Sequence, residues 1–586
     1  MKTTDHIAQV LHQNGLRHFF AVTGGAAVHV IDSLIENAAI QATFHHHEQA
    51  AALAAEGYAR LTGFGLCVVT TGPGVTNALT GLLCAWQDST PCLFISGQAR
   101  YENTSLGRNV RQVGTQHLEV LPVVSSMTKK AILLNASDNP IDVVNELISI
   151  AKSGRPGPVW LDIPLDVQLK NTKWLPSTSK NSVPSTTTGR LGAAKVQLIS
   201  EKIRNAKRPI VLIGRGSAST TNRSLNDFFD KYHIPIIRTW GGLTVDIESA
   251  RHDFGRIGVS GQRGANLIAG SADLMIVLGA RLGQAVVGPA VEWLAQDGEL
   301  IVVDIDHNEL EILNARREIT AINSTVDEFL HLMNSTSSAI AETPHAWLEY
   351  CMKVSEWNHE QFQTSADTSG INQYELVRHI NSLNHKISCV VIDGGGTIVY
   401  TAMQTLSSRK GMEIIIPSSS APMGTGLPHA IGASRAINNE PIIVLCGDGS
   451  FPFNVQELET IKHHNLNIKI LIVNNGGYLS IQETQNQFLE SRHHGSSLSG
   501  ELSLPEIQSI ATAYAVKYLH CIKRDLLESI LFEMLECSGP CIVEIVIQPG
   551  QQIFPRQGFQ ELPDGTFRAR PLTDMDPHVE TLVSGR

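Results

Sequence analysis

A chain of 586 residues that is 42% hydrophobic and 17% charged is expected to fold as about three soluble domains with sizeable cores. Its net charge of −11 argues against nucleic acid as the main partner, and no apolar run is long enough to span a bilayer, so no membrane role is expected. The opening MKTTDHIAQVLHQNG is polar and helix-like rather than a signal peptide, and the nine scattered cysteines lack a CxxC pair. Cys67, Cys84 and Cys446 fall in apolar runs, which suggests buried thiols in a reducing cytoplasm, without disulfides or structural zinc.

The first segment, 1–170, alternates helix and strand. Asp5–Asn14 reads as a helix closed by Gly15, and Phe19–Val22 as a strand that leaves through Thr23-Gly24-Gly25. Ala42–His45 is a strand. After it an Ala-rich helix begins near Glu48 and ends at Gly63. Leu66–Thr70 is a strand, Thr71-Gly72-Pro73-Gly74 turns the chain, and a helix is expected from near Thr76-Asn77. Pro91–Ile95 is a further strand. Glu48 at a strand-to-helix junction has two readings, a proton relay shielded by apolar neighbours or a favourable helix N-terminal charge. His29, His46 and His47 are likewise open between substrate contact and packing.

Lys170–Arg190 is rich in Ser, Thr and Pro and reads as a linker. A middle domain over 191–333 repeats the rhythm with strands at Pro209–Ile213, Ile234–Ile237, Leu274–Leu278 and Leu300–Val303. Asn334–Gly370 is a less regular connection. The third domain, 371–555, opens with the strand Ser388–Ile392 and a glycine run, Gly394-Gly395-Gly396, before Thr397. Such a run at a strand end suits the approach of a phosphate. The fold class is therefore α/β, with three Rossmann-like domains, each a mostly parallel sheet flanked by helices. A polar, Pro-rich tail over 556–586 is expected to act as an active-site cover or interface arm.

The most informative stretch is Pro441–Gln482. Pro441–Cys446 is a buried strand, Gly447-Asp448-Gly449-Ser450 turns the chain, and Asn454 with Glu457 resembles a capping box. Asn467–Val473 is the next strand, and Asn474-Asn475-Gly476-Gly477 leaves its end. Asp448 and Asn475 lie 27 residues apart, about one crossover unit, so both sit at the carboxyl ends of strands in one sheet. With the backbone carbonyl near Gly477 they supply the hard oxygen ligands that magnesium takes together with phosphate oxygens.

GDGS followed by NN resembles the cofactor signature of thiamine-diphosphate enzymes. From about Thr4 to about Pro577 the chain is similar to the acetohydroxyacid synthase-like group, and comes closest to the carboligases that build branched-chain sugars in O-antigen pathways. The resemblance implies domains in the order pyrimidine-binding, middle, diphosphate-binding. It implies a homo-oligomer whose cofactor sits between the first domain of one subunit and the third of its partner. HEQAAALAAEGYAR matches the family pattern whose Glu, here Glu48, hydrogen-bonds the aminopyrimidine and drives thiamine to its reactive ylid. Gly72-Pro73-Gly74 and Asn77 match the family's SGPGxxN turn, with Thr71 in place of Ser. Gln116 takes the position of a Gln that faces the active site, but His117 stands where the synthases have Glu. Met423 takes the position of the residue that props the thiazolium. The implied cofactor contacts are Gly24, Gly25, Pro73, Asn77, Gly395, Gly396, Thr397, Met423, Gly447, Gly449, Ser450, Gly477 and Tyr478. Gly395-Gly396-Thr397 replaces the synthases' Gly-Gln-His.

The synthases hold FAD in the middle domain. Gly255–Gly261 and Asp304-Ile305-Asp306 are similar to parts of that site, but LGQAVVG follows Gly279-Ala280-Arg281 where the synthases have FDDRxxG, so FAD stays open. Tyr478–Thr484 is expected to face substrate. Thr484 stands where the synthases have Trp, and with His29 and Ile481 it would line a roomier pocket. The implied reaction is decarboxylation of a 2-keto acid such as pyruvate and transfer of the acyl-anion equivalent to a carbonyl acceptor, either a second pyruvate or a keto-sugar nucleotide. The rivals are a simple decarboxylase, a C–C hydrolase, or an inactive sugar-nucleotide-binding relative. The last would be marked by loss of Glu48, Asp448 or Asn475, and all three are present.

Overall fold

Short apolar strands alternate with helices three times along the chain, and each series closes into one six-stranded sheet. The computed structural model describes residues 1–175, 191–218, 220, 222–248, 252–336, 342–362, 370–548 and 550–579. Most of the expected linker, 176–190, lies outside these residues, as do part of the 334–370 connection and the last residues of the tail. The first sheet comprises β1 (His18–Ala21), β2 (Gln41–Phe44), β3 (Gly65–Val69), β4 (Cys92–Gln98), β5 (Ala131–Leu133) and β6 (Val159–Pro164), in the order β2-β1-β3-β4-β6-β5. The second comprises β7 (Pro209–Ile213), β8 (Ile236–Arg238), β9 (Asp253–Arg256), β10 (Leu274–Leu278), β11 (Glu299–Asp304) and β12 (Thr320–Asn323), in the order β12-β11-β10-β7-β8-β9. The third comprises β13 (Cys389–Ile392), β14 (Glu413–Ile415), β15 (Ile442–Gly447), β16 (Ile468–Asn474), β17 (Lys517–Cys521) and β18 (Cys541–Val546), in the order β14-β13-β15-β16-β18-β17.

The first and third sheets share one topology, and the second has the Rossmann order. Strand order reverses between β1 and β3, between β7 and β10, and between β13 and β15. Ligands of open parallel sheets bind outside the carboxyl ends at such switch points. At the second sheet's switch point the glycines are explained by backbone packing. A Cβ on Gly214 would collide with Gly279 and Ala280, and one on Gly216 would lie 2.9 Å from the Gly279 Cα.

Two compact units partition the chain. The first holds residues 1–186, 385–399 and 415–547, and the second holds 187–384, 400–414 and 548–586. In the second unit the tail forms two short antiparallel strand pairs, Arg556–Gln557 with Met575–Asp576 and, within the span between them, Phe559–Glu561 with Phe567–Ala569. Arg263 holds it there by donating to the carbonyls of Met575 (3.0 Å) and Pro577 (2.8 Å). No described helix is long and apolar enough to cross a membrane.

In the first unit the Ala-rich segment forms the helix Glu48–Thr62, ended by Gly63 in the left-handed region at φ 81°. It packs between the helices Pro73–Gln87 and Gly426–Ala436, which is why residues Ala50–Ala55 are buried on every face. The backbones touch. A Cβ on Gly57 would lie 2.7 Å from the His429 carbonyl, and one on Gly432 would strike the Ala54 carbonyl. A buried ionic clasp runs beside this contact. Glu56 pairs with Arg60 (2.6 Å) and His429 (2.9 Å), and Arg60 with Asp88 (2.5 Å). Burial alone would raise the Glu56 carboxyl, but Arg60, His429 and Thr90 outweigh it and hold the group ionised.

Two local expectations are corrected. The helix after β3 starts at Pro73 rather than near Thr76-Asn77, because Pro suits the first helical position, where no N–H is needed. Asn454 does not cap a helix. It ends the 3₁₀ turn Phe451–Asn454, and its amide donates to the Gly424 carbonyl at 2.7 Å, so a long-range bond replaces the local cap. The next helix is Glu457–His463. Cys67, Cys84 and Cys446 are buried as expected.

Gly432→Ala is expected to destabilise the first unit by about 1–3 kcal/mol through overpacking. Denaturant unfolding of wild type and variant measures this, and equal stability would contradict the close contact.

Candidate active site

At the third sheet's switch point one carboxylate joins two strand ends. Asp448 follows β15. Its Oδ1 accepts from the Gly449 N–H (2.9 Å), and its Oδ2 accepts from the N–H groups of Gly476 (2.9 Å) and Gly477 (3.0 Å), just past β16. Gly476 and Gly477 have φ of 80° and 131°, which a side chain would disfavour. Burial pushes the Asp448 carboxyl up to about 6, even though these amides favour its charge. Asn475 donates its amide to the Thr397 hydroxyl at 3.1 Å, and its Oδ1 is buried with no hydrogen-bond partner. A buried orphan amide oxygen, one residue before the two amides that hold a buried carboxylate, is a fit for a hard divalent metal. The Gly477 carbonyl accepts the Leu479 N–H at 3.1 Å.

A second buried carboxylate gathers the surrounding loops. Asp393, at the end of β13, accepts from the N–H groups of Gly395 (3.3 Å), Gly424 (3.0 Å) and Gly426 (2.9 Å) and from the Ser450 hydroxyl (2.8 Å). Burial raises its carboxyl above the usual range against these four donors. A Cβ on Gly395 would lie 2.5 Å from Met423 Cγ, so Met423 rests on this turn. Gly396 has φ of 89°, and no atom lies within 4 Å of where its Cβ would be. The open backbone there leads into the helix Thr397–Thr405, which suits a phosphate. Gly449 is required by the Tyr478 ring, which lies against it. Gly447 faces open space.

The remaining predicted residues gather at the first sheet. Glu48 is the first residue of its helix, and His47 caps it by accepting the Gln49 N–H at Nδ1 (3.1 Å). Asn77 donates to Glu48 Oε2 at 2.9 Å, so it holds the acid directly. Gly74, after Pro73, lies close enough that its Cβ would be 3.6 Å from Glu48 Oε1. Gly72, at φ 59°, packs under the Gln116 carbonyl, which also accepts from the Thr71 hydroxyl (3.3 Å). Gln116 itself has φ of 60° and an exposed side chain. A Cβ on Gly24 would lie 2.6 Å from Thr70, while Gly25 is open. His29 is half-buried, and His46 is exposed, as are Ile481 and Thr484 on the helix Leu479–Phe488. Two clusters result, one around Glu48 and one around Asp448. Asp393 was not expected as a site residue. Its signal was an acid at the end of a buried strand, directly before a glycine run.

Residues 1–120 match the family Thiamine pyrophosphate enzyme, N-terminal TPP binding domain; residues 196–344 match its central domain, and residues 394–545 its C-terminal TPP binding domain. The chain is 30% identical to acetolactate synthase 2, chloroplastic, of Nicotiana tabacum, over 94% of its length and 83% of the relative's. It is 28% identical to the acetolactate synthase isozyme 2 large subunit of Escherichia coli (95% and 97% covered) and 27% identical to the acetolactate synthase large subunit of Lactococcus lactis (94% and 93% covered). The chain belongs to the acetolactate synthase-like thiamine pyrophosphate enzymes. Glu48 lies in the matched N-terminal TPP-binding domain and Asp448 in the C-terminal one, and each matched range carries strands of a different sheet.

In this thiamine pyrophosphate enzyme Asp393→Ala would leave four donors without their acceptor, at a cost of about 3 kcal/mol or more. The variant is expected to unfold at lower denaturant and to bind thiamine diphosphate more weakly, measured by chemical unfolding and calorimetric titration. Wild-type values in both would contradict the loop-gathering role.

Proposed function

We propose that this enzyme decarboxylates a 2-keto acid, with pyruvate the first candidate, and joins the remaining acyl unit to a carbonyl acceptor. The observation that carries the reading is the orphan Asn475 oxygen beside Asp448, at the switch point of a TPP-binding domain. Asp448, Asn475 and the Gly477 carbonyl would hold Mg²⁺, with further oxygens supplied by the diphosphate. Gly395, Gly396 and Thr397 would receive the diphosphate, and Gly447, Gly449, Ser450 and Met423 would line its other side. When bound, thiamine diphosphate supplies a carbanion for the keto carbonyl and takes up the electrons left as CO₂ departs.

This chain's residues do the remaining work. Glu48 would exchange a proton with the aminopyrimidine ring nitrogen, and Asn77 fixes the orientation of its carboxylate. Gln116, His46, His47 and His29, from loops of the same domain, would orient substrate. As the family resemblance implies, a complete site would pair the first domain of one subunit with the third domain of its partner, in a homodimer or homotetramer. Exposed Phe44, just before the Glu48 turn, and Phe453, in the loop after Ser450, are apolar surfaces that such an assembly would cover. A flavin in the middle domain would have no redox part, since carboligation involves no net redox change.

The relatives are named acetolactate synthases, which favours a second 2-keto acid as acceptor. A larger acceptor, such as a keto sugar, is the second reading. It rests on Thr484 and on the 48% exposure of Ile481.

Wild type incubated with pyruvate is expected to release CO₂ and form acetolactate. CO₂ without a ligated product, either alone or with added keto sugars, would identify a decarboxylase instead. Glu48→Gln keeps the hydrogen-bonding shape but cannot relay a proton. The loaded variant should exchange the C2 proton of thiamine ~10²–10⁴-fold more slowly, measured by quenched-flow NMR. Equal rates would remove Glu48 from the activating role.

A further inference from the structure

Three residues before Glu48 a buried side-chain contact joins the end of a strand of the first sheet to a helix of the third. The Glu457 and His45 side chains are both fully buried, with His45 Nδ1 2.8 Å from Glu457 Oε2. The same oxygen accepts the Thr460 hydroxyl at 2.8 Å, and Oε1 accepts the His46 backbone N–H at 3.0 Å. One carboxylate therefore grips a side chain and a backbone amide in consecutive residues. His47 then caps the helix, and Glu48 is its first residue. Downstream of the grip, only the His46–His47 backbone separates it from Glu48.

We propose that Glu457 is a positioning residue that sets where Glu48 stands. The proposal rests on Glu48 acting as the proton relay. A carboxylate without solvent is expensive unless its donors are in place. Burial pushes the Glu457 carboxyl up, and His45, Thr460 and the His46 amide more than reverse this, so the group stays ionised. Two of those three donors belong to the turn that carries Glu48, so this turn can move only by breaking charge-assisted bonds in a dry environment. Glu457 also opens the helix that follows the Asp448 loop. One short segment of chain thereby carries the proposed metal ligand at one end and the support for the activating acid at the other.

The clasp of Glu56 and His429 is the internal contrast. It lies two turns farther along the same helix and holds helix against helix. Its loss should loosen the packing without shifting the turn before Glu48.

The test compares Glu457→Ala, Glu457→Gln and His45→Leu with wild type and with His429→Gln. Each protein is loaded with thiamine diphosphate and Mg²⁺. Cofactor affinity is read by calorimetry, and C2–H/D exchange by quenched-flow NMR. Glu457→Ala is expected to bind cofactor normally yet exchange roughly 10–10²-fold more slowly, the scale of an ångström-level misplacement. Glu457→Gln, which keeps an acceptor for the His46 N–H, should recover part of the loss. His429→Gln should lose stability with exchange unchanged. Combining Glu457→Ala with Glu48→Gln should slow exchange no further than Glu48→Gln alone, because both lesions act through one group. Wild-type exchange in Glu457→Ala, or an additive loss in the double variant, would overturn the positioning role. If Glu48→Gln itself exchanged at the wild-type rate, the relay reading underneath would fail instead. Should Glu457→Ala not fold, Glu457→Gln and His45→Leu carry the same comparison.

Discussion

The backbone contact between the helices Glu48–Thr62 and Gly426–Ala436 is the constraint on which the first unit depends. Gly57 and Gly432 allow it, and their alternatives would collide with carbonyls of the opposite helix. Such an approach buries the intervening side chains, so charged groups caught there are costly unless they are paired. The pairs of Glu56 with Arg60 and His429 lie in this seam, and the contact of Glu457 with His45 lies just before the first helix begins. Buried ion pairs add little net stability over apolar packing, but removing one partner leaves the other stranded. The first set therefore fixes how the two helices pack, while the contact of Glu457 with His45 bears on the turn before the acid at the helix start.

A similar economy runs through the third sheet. Asp393 and Asp448 are both buried, and burial raises both carboxyls. Asp393 is fully employed by four donors from loops that meet only in the fold. Asp448 is supported by three amides and stands beside an amide oxygen that has no partner. The first arrangement is complete as protein, whereas the second leaves an acceptor free, which fits the metal site proposed for it. The scaffold role of Asp393 and the ligand role proposed for Asp448 rest on this difference, although both end apolar strands before glycines.

Much of this was legible in the sequence. Apolar runs of four to seven residues mark most of the strands, and Ala-rich composition with Gly63 marks the central helix. The GDGS turn and the Asn pair were readable because each is local. What escaped was long-range. His45 and Glu457 are 412 residues apart, so nothing near either residue announces the pair. Asn454 followed by Glu457 has the spacing of a capping box, but tertiary bonds claim both side chains, to Gly424 and to His45. The glycines divide in the same way. Gly63 and Gly476 are explained by their own φ, whereas Gly449 is explained only once the Tyr478 ring is seen lying against it.

The chemistry proposed for this enzyme needs Glu48 and the Asp448 loop at one cofactor, and within a chain they belong to different clusters. Complementation between two inactive variants tests that claim most directly. Glu48→Gln and Asp448→Ala subunits are purified, mixed, dissociated and reassembled, and pyruvate consumption is then measured. A mixed dimer carries both lesions in one site and neither in the other, so random reassembly should restore about a quarter of wild-type activity. No recovery in a preparation shown to contain mixed dimers would contradict a site shared between subunits.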